Sequence, residues 1–330
     1  MTIRMHRAST LAAACITAWA LVACGGGGGN GNGNAVGASD MNAVPSTGTT
    51  SQGQDVAAPK LTNNTAVDGR VWLNYRRTQL GLPELTENGM IDQAAQRHSD
   101  YQVVNGITHT EDPAKQGFTG VTLDKRMNAA GYTFRGSNAI GEVIAASTST
   151  SGFYNAEQLI TAIYHRFVIF EPVFKEIGSG AATASGANGY TYFTADMAAN
   201  NGLGQGLVRG TVVTWPFSGQ TQVTPNFFSN QEEPDPVPDR DEVGYPISVH
   251  ANMSSTLTVK SFTVRPHGGS DLPVKQIGNQ TTNAQGQAVA PTAVAIIPLS
   301  PLAGKTTYDV SFNGTVDGTP VSKSWSFTTK

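Results

Sequence analysis

Both cysteines of this 330-residue chain, Cys15 and Cys24, lie within its first 24 residues. Everything after Cys24 must therefore fold without an internal disulfide and hold together by burying apolar surface. The length suffices: with non-globular stretches set aside, it supports two ordinary domains. Hydrophobic residues make up 39% and charged residues only 14%, so the surface must draw its polarity from Ser, Thr, Asn and Gln. The net charge is -3 and no cluster of Lys and Arg stands out. A nucleic-acid partner is not expected, because neutralising phosphates takes clustered cations.

The first 24 residues read as an export signal. Arg4, His6 and Arg7 form a basic start, and Leu11 to Val22 is an apolar run too short to span a bilayer comfortably. Leu21-Val22-Ala23-Cys24 then resembles a bacterial lipobox. The resemblance implies that Cys24 is lipidated and becomes the mature N-terminus; the alternative is an ordinary signal peptide with a chance cysteine. Each buried acyl CH₂ adds about 0.8 kcal/mol of membrane affinity, and a lipoprotein's several chains supply stable anchoring. Gly25, rather than Asp, follows the cysteine. By resemblance to Gram-negative sorting signals, this implies a lipid-anchored cell-envelope protein, held at the outer membrane if the organism is Gram-negative. Residues 25–61 are a Gly/Asn/Ser/Thr-rich tether with almost nothing large to bury. As a flexible coil it would reach roughly 35 Å.

Residues 62–204 alternate between helical and strand patterns. Val67, Val71, Leu73 and Leu80 recur at helical spacing before Gly81, and Thr86-Glu87-Asn88-Gly89 opens a second helix that ends around Asn105-Gly106. Leu123 to Ala130 predicts a short helix, and Asn138 to Ala146 a strand carrying Glu142. Ala156 to Phe170 predicts one helix with His165 near its end, and Phe174–Ala181 with Tyr190–Met197 a strand pair. Helices around a short antiparallel sheet make a layered α+β domain.

The glycine-rich join at 202–210 ends the helical periodicity. Residues 205–330 instead predict an all-β sandwich, with strands at 211–217, 246–253, 257–265, 293–298, 308–316 and 322–328. The acidic, proline-broken run Glu232 to Glu242 fits no standard calcium-loop spacing and is expected to be a solvated loop. His250 and His267 are expected to be exposed, and His98 to face solvent or a rim. Trp72, Trp215 and Trp325 are expected in the packing.

Leu73-Asn74-Tyr75-Arg76-Arg77, Ala94-Ala95-Gln96-Arg97-His98-Ser99, His109-Thr110, Ala129-Ala130-Gly131-Tyr132, Gly141-Glu142, His165-Arg166 and Glu176-Ile177-Gly178-Ser179-Gly180 occur in that order. Together they resemble a bacterial CAP domain (SCP/PR1-like), the superfamily of cysteine-rich secretory proteins, antigen 5 and pathogenesis-related 1 proteins, over about residues 65 to 200. The resemblance implies an α-β-α sandwich with a central cleft, and it places His109, Glu142 and His165 in that cleft. Two departures stand out: Val143 replaces the usual Asn, and the second glutamate of some eukaryotic members has no counterpart. The stretches Tyr308–Phe312 and Trp325–Thr329 resemble bacterial Ig-like surface modules more distantly.

Two imidazoles and a carboxylate can hold a divalent metal such as zinc with a position left for water, as a hydrolase would use. Without metal they could form an acid/base pair, or a purely structural network of charge-assisted hydrogen bonds. No Ser, Thr or Cys has a nucleophile's context, and no catalytic residue is assigned. Three classes stay open: a module binding a lipid, a small apolar ligand or a metal in the cleft; a metal-dependent hydrolase of peptide or envelope substrates; and a non-catalytic surface interaction protein. The first is the expectation carried forward.

Overall fold

The computed structural model describes residues 3–6, 58–186, 189–279, 281–282, 288–289 and 291–330. The lipobox with Cys24, and the tether up to residue 57, lie outside the described residues.

The first domain contains β1 (Ile3–His6), α1 (Thr65–Gln79), β2 (Thr86–Glu87), α2 (Gly89–Asn105), α3 (Leu123–Ala129), β3 (Asn138–Ser147), α4 (Gly152–Thr161), α5 (Ile163–Ile169), β4 (Glu176–Thr183) and β5 (Thr191–Ala199). Its sheet runs β1-β3-β5-β4-β2. The pairs are antiparallel except β2 with β4, which is parallel. The alternation of strand side chains divides the sheet cleanly. Ala139, Val143, Phe193, Ala195 and Met197 join the core with Leu73 and Ala156 of α1 and α4. Ile140 and Ala198 point the other way, into a cluster with Ile91 and Ala94 of α2 and Met127 of α3. Both faces are thus covered by helices, giving three layers.

The helices begin where the chain supplies caps. The Asn64 side chain accepts from Val67 N at 3.1 Å, and that of Asn88 from Met90 N at 3.0 Å. The layers approach closely because of two glycines on β4. A Cβ at Gly178 would fall 2.2 Å from Asp92 N, and one at Gly180 would fall 2.2 Å from Gln96 N. The backbone of α2 lies directly on that strand.

The helix expected over 156–170 is two helices. Ala162 adopts an extended conformation (ψ 118°) and breaks the run into α4 and α5. A new helix start exposes N–H groups that need acceptors, and α5 finds them in the second domain.

That domain is built from β6 (Val213–Trp215), β7 (Asn226–Phe228), β8 (Glu242–Gly244), β9 (Ile247–His250), β10 (Leu257–Pro266), β11 (Val274–Gly278), β12 (Thr281–Thr282), β13 (Ala288–Val289), β14 (Ala293–Pro298), β15 (Thr307–Val316) and β16 (Thr319–Thr328). A three-stranded sheet β10-β15-β16 and a four-stranded sheet β11-β14-β9-β6 share a core of Val249, Val294, Ile296, Val264, Phe312 and Phe327. The two domains make one continuous interior. Ile163 and Phe167 of α5 pack with Phe227, Val237, Val243 and Ala295. Arg166, fully buried, donates to Pro246 O at 2.6 Å and lies 4.9 Å above the Tyr245 ring.

Three expectations are corrected here. His250 is 1% exposed, because β9 is a central strand and its ring packs edge-on against Phe167 and Phe170. His98 is fully buried under the first domain's sheet. The run from Glu232 is not simply solvated: Glu232 and Val237 are buried, the segment folding back on Ser229 and sinking Val237 into the α5 cluster. His267 is exposed, as expected, though Asp309 sits 3.0 Å from its Nδ1. Trp72, Trp215 and Trp325 are buried. Among the described residues, no helix is long and apolar enough to cross a membrane.

Candidate functional site

The site is assembled around β3. The even-numbered residues of β3 and β5 face α2, so Glu142 and its cross-strand neighbour Asp196 both point into that layer. His109 lies on the loop after α2, and its Nδ1 is 2.8 Å from Glu142 Oε1. The other oxygen of Glu142 is taken by Arg126 of α3, which also donates to His109 O at 3.1 Å. His98 Nε2 stands 3.9 Å from the same oxygen.

His98 is a supporting element. Its Nδ1 is 2.8 Å from Glu111 Oε1 and its Nε2 is 2.8 Å from Thr108 O, so both ring nitrogens face acceptors. Glu111 in turn gathers Gly120 N at 3.1 Å and the Thr119 hydroxyl and N–H. The loop bearing His109 is therefore fixed at both ends, through Thr108 and through Arg126.

His165 is supplied by α5. Helix α5 packs on β3 through Val168, whose Cγ1 lies 2.6 Å from where a Cβ at Gly141 would be. Glu142 does not reach His165. The partner is Glu232 of the second domain, whose Oε1 is 3.0 Å from His165 Nδ1. Glu232 also accepts from the backbone N–H groups of Ile163 (2.8 Å), Tyr164 (2.7 Å) and His165 (3.3 Å). It is the acceptor that the break at Ala162 requires.

The electrostatics follow from burial and pairing. Burial disfavours the Glu142 carboxylate, but Arg126, then His98 and His109, more than offset it and hold the acid well below the ordinary range. Asp196 goes the other way: burial, then the charge of Glu142, raise it far above normal, so a neutral carboxyl faces an ionised one. Burial pushes His109 below the usual imidazole range, against the pull of Glu142.

The two histidines share a design. Each turns Nδ1 to a buried carboxylate, and a carboxylate can only accept, so each Nδ1 carries the hydrogen. The neutral ring then keeps a free lone pair on Nε2. His109 Nε2 is buried and has no hydrogen-bond partner; no hydrogen bond from the described residues reaches His165 Nε2. Glu142 has both oxygens committed, and no group of three His, Cys, Asp or Glu among the described residues is arranged to hold a metal. What the chain offers is two nitrogen donors, each oriented from behind.

Of the residues expected in the cleft, His109 and Glu142 are in direct contact, and His165 is paired with Glu232 instead. His98, Arg126, Glu111, Asp196 and Glu232 complete the arrangement and were not anticipated. Asp196 could have been found from strand alternation, since it lies an even number of residues from Thr194 and Ala198. Nothing local marks Glu232. An apolar ligand in the cleft would need apolar walls, which the sequence offers in Tyr101, Tyr164 and Phe167; Tyr101 is buried with its hydroxyl accepting from Asp112 N at 2.9 Å, Phe167 belongs to the interdomain cluster and Tyr164 packs against it. Neither Tyr101 nor Phe167 is free to line a cleft.

Residues 72–197 match the model of the cysteine-rich secretory protein family, CAP. Among solved structures, an extracellular protein containing an SCP domain from Bacillus anthracis str. Ames is 19% identical, with a TM-score of 0.33; the match covers 43% of this chain and 44% of that one. An outer surface protein from Borrelia burgdorferi is 16% identical, with a TM-score of 0.32, over 40% of this chain and 90% of that one. The chain thus spans under half the length of the Bacillus protein. No curated protein matches the chain.

Proposed function

We propose that the protein, whose CAP-type domain occupies 72–197, is an exported binding module whose ligand is held by Nε2 of His109 and Nε2 of His165. The observation that carries this reading is the buried, unpartnered Nε2 of His109, held in place by a carboxylate on the ring's other side. An unsatisfied buried acceptor costs free energy, which a ligand at that nitrogen would relieve. A carboxylate behind the ring is also the arrangement that orients histidines toward a bound cation. The donor set fits a divalent cation at two positions, the remaining ones falling to water or to donor atoms of a ligand.

A hydrolase would need a carboxylate free to act as base. Every oxygen of Glu142 and Glu232 is engaged, which favours binding over turnover. Lipidation of Cys24 would place the module on the cell envelope, at the outer membrane if the sorting signal is read as such. The same processing would remove β1 and leave the outer edge of β3, at Asn138–Gly141, unpaired beside the histidines. The β domain, with its distant resemblance to Ig-like modules, would act as the support of the site.

Calorimetric titration of the protein with Zn²⁺ tests the reading. The expected result is one saturable site, abolished by His109→Ala and by His165→Ala. No saturable heat, or a site indifferent to both substitutions, would exclude it. Release from membranes on Cys24→Ala tests the anchor separately.

A further inference from the structure

We propose that Glu232, on the β domain, is a positioning residue for the cleft of the first domain, and that the binding site is complete only in the two-domain unit. This deepens the reading of the histidine pair and rests on it.

His109 and its carboxylate belong to one domain. His165 is different: among the described residues, the first domain supplies the ring but no acid for it. Glu232 fills that place from 67 residues further along. It is 3% exposed, and its four contacts are all with donors: three backbone N–H groups and the His165 ring. A group surrounded by donors works only as an acceptor, so His165 is held with its hydrogen on Nδ1 and its lone pair on Nε2. An unconstrained neutral imidazole has no such obligation. The same carboxylate satisfies the start of α5 after the break at Ala162, so ring orientation and helix position are set by one group.

The rest of the seam keeps Glu232 in register. Val237, five residues on, packs with Ile163 and Phe167. Val237 N donates to Ser229 Oγ at 3.0 Å, and Ser229 N to Asp241 O at 2.8 Å, closing the segment into a loop whose inner residue is Glu232. Arg166, next to His165, reaches Pro246 O and, at 3.3 Å, Ser248 Oγ. Sliding of one domain on the other would therefore move His165. Binding at the pair and docking of the domains are coupled, each strengthening the other.

The test is ¹⁵N-detected NMR of the histidine side chains in the full mature chain above pH 8, where unprotonated and protonated ring nitrogens separate. In the wild type, His165 is expected as the Nδ1–H tautomer. Glu232→Ala should move it toward Nε2–H and weaken Zn²⁺ binding by about 10- to 100-fold, the usual cost of losing such support. Glu232→Gln should keep the tautomer, its amide oxygen standing where Oε1 was, at some cost in stability because its NH₂ then meets Ile163 N–H. An Nε2–H tautomer in the wild type overturns the proposal, as does an unchanged ring in Glu232→Ala. If the alanine variant does not fold, the wild type and Glu232→Gln still decide: loss of Nδ1–H in either overturns it. The tautomer needs no ligand, so the two readings fail separately. Absence of Zn²⁺ binding with an Nδ1–H ring counts against the function; tight binding with an Nε2–H ring counts against Glu232.

Discussion

Glu142 and Asp196 are cross-strand partners on one buried face, yet they hold opposite charge states. Two carboxylates side by side cannot both ionise cheaply, so the one nearer to Arg126 and the imidazoles takes the charge and its neighbour keeps a proton. That division decides what the site can do. Glu142 is spent on orienting His109 and compensating Arg126, and the free nitrogen of His109 is the consequence.

Glu142→Gln should destabilise the fold by about 3 kcal/mol, because Arg126 is left as an undercompensated buried cation. The loss should appear in denaturant melts at pH 7. The folded acid is held below its ordinary value, so its contribution is fully present above about pH 4.5 and fades as pH falls further. Wild type and variant should converge in acid.

Glu171 gives the opposite dependence. It is buried at the seam and accepts from Val173 N (3.3 Å) and Met253 N (3.0 Å), and burial raises its acid to about 8. The folded state then keeps a proton that the unfolded state releases, so stability falls as pH rises from about 4.5 toward 8. Glu171→Gln, which preserves the acceptor, should flatten this slope and melt higher than the wild type at pH 8. An identical slope in the variant would remove Glu171 as its source.

His250 should dominate the acid limb among the histidines. Burial, and then Arg166, lower it to about 3. The unfolded chain takes up the proton below about pH 6.5, so stability drains away between there and pH 3, by a few kcal/mol at most. His109 acts in the same direction. His250→Leu should make stability less sensitive to pH across this window, read from urea midpoints at each pH.

Gly178→Ala should be among the most damaging single-methyl additions in the chain. The new Cβ meets backbone rather than a flexible side chain, at Asp92 N and Ile91 C. Overpacking of this kind costs about 3 kcal/mol or more, and the thermal midpoint should drop accordingly. Gly89→Ala, where the added Cβ meets nothing within 4 Å, is the control and should be neutral.

Much of this was legible in the chain itself. Apolar spacing located α1, α2, α3 and β3, because each buries one continuous face. Alternation located the long strands of the β domain for the same reason. The short strands β2, β7, β8 and β11 escaped, having too few residues for a period to show. The break at Ala162 was invisible too, since alanine favours helix and only the Glu232 cap makes the extended turn worthwhile. His98 was expected at solvent or a rim and His250 exposed; their burial is settled by partners outside their own elements, Glu111 and Thr108 O for one, Phe167 and Phe170 for the other. The candidate residues His109, Glu142 and His165 came from ordered motifs. Glu232 could not, because the residue that it serves lies in another domain.

The most direct measurement of the central claim is anomalous diffraction at the zinc edge from crystals of the protein soaked in Zn²⁺. The account predicts a peak about 2.0–2.1 Å from Nε2 of both His109 and His165, with Glu142 and Glu232 still on the Nδ1 sides. A peak coordinated by Glu142 in place of His165, or no peak at the pair under saturating Zn²⁺, would contradict it.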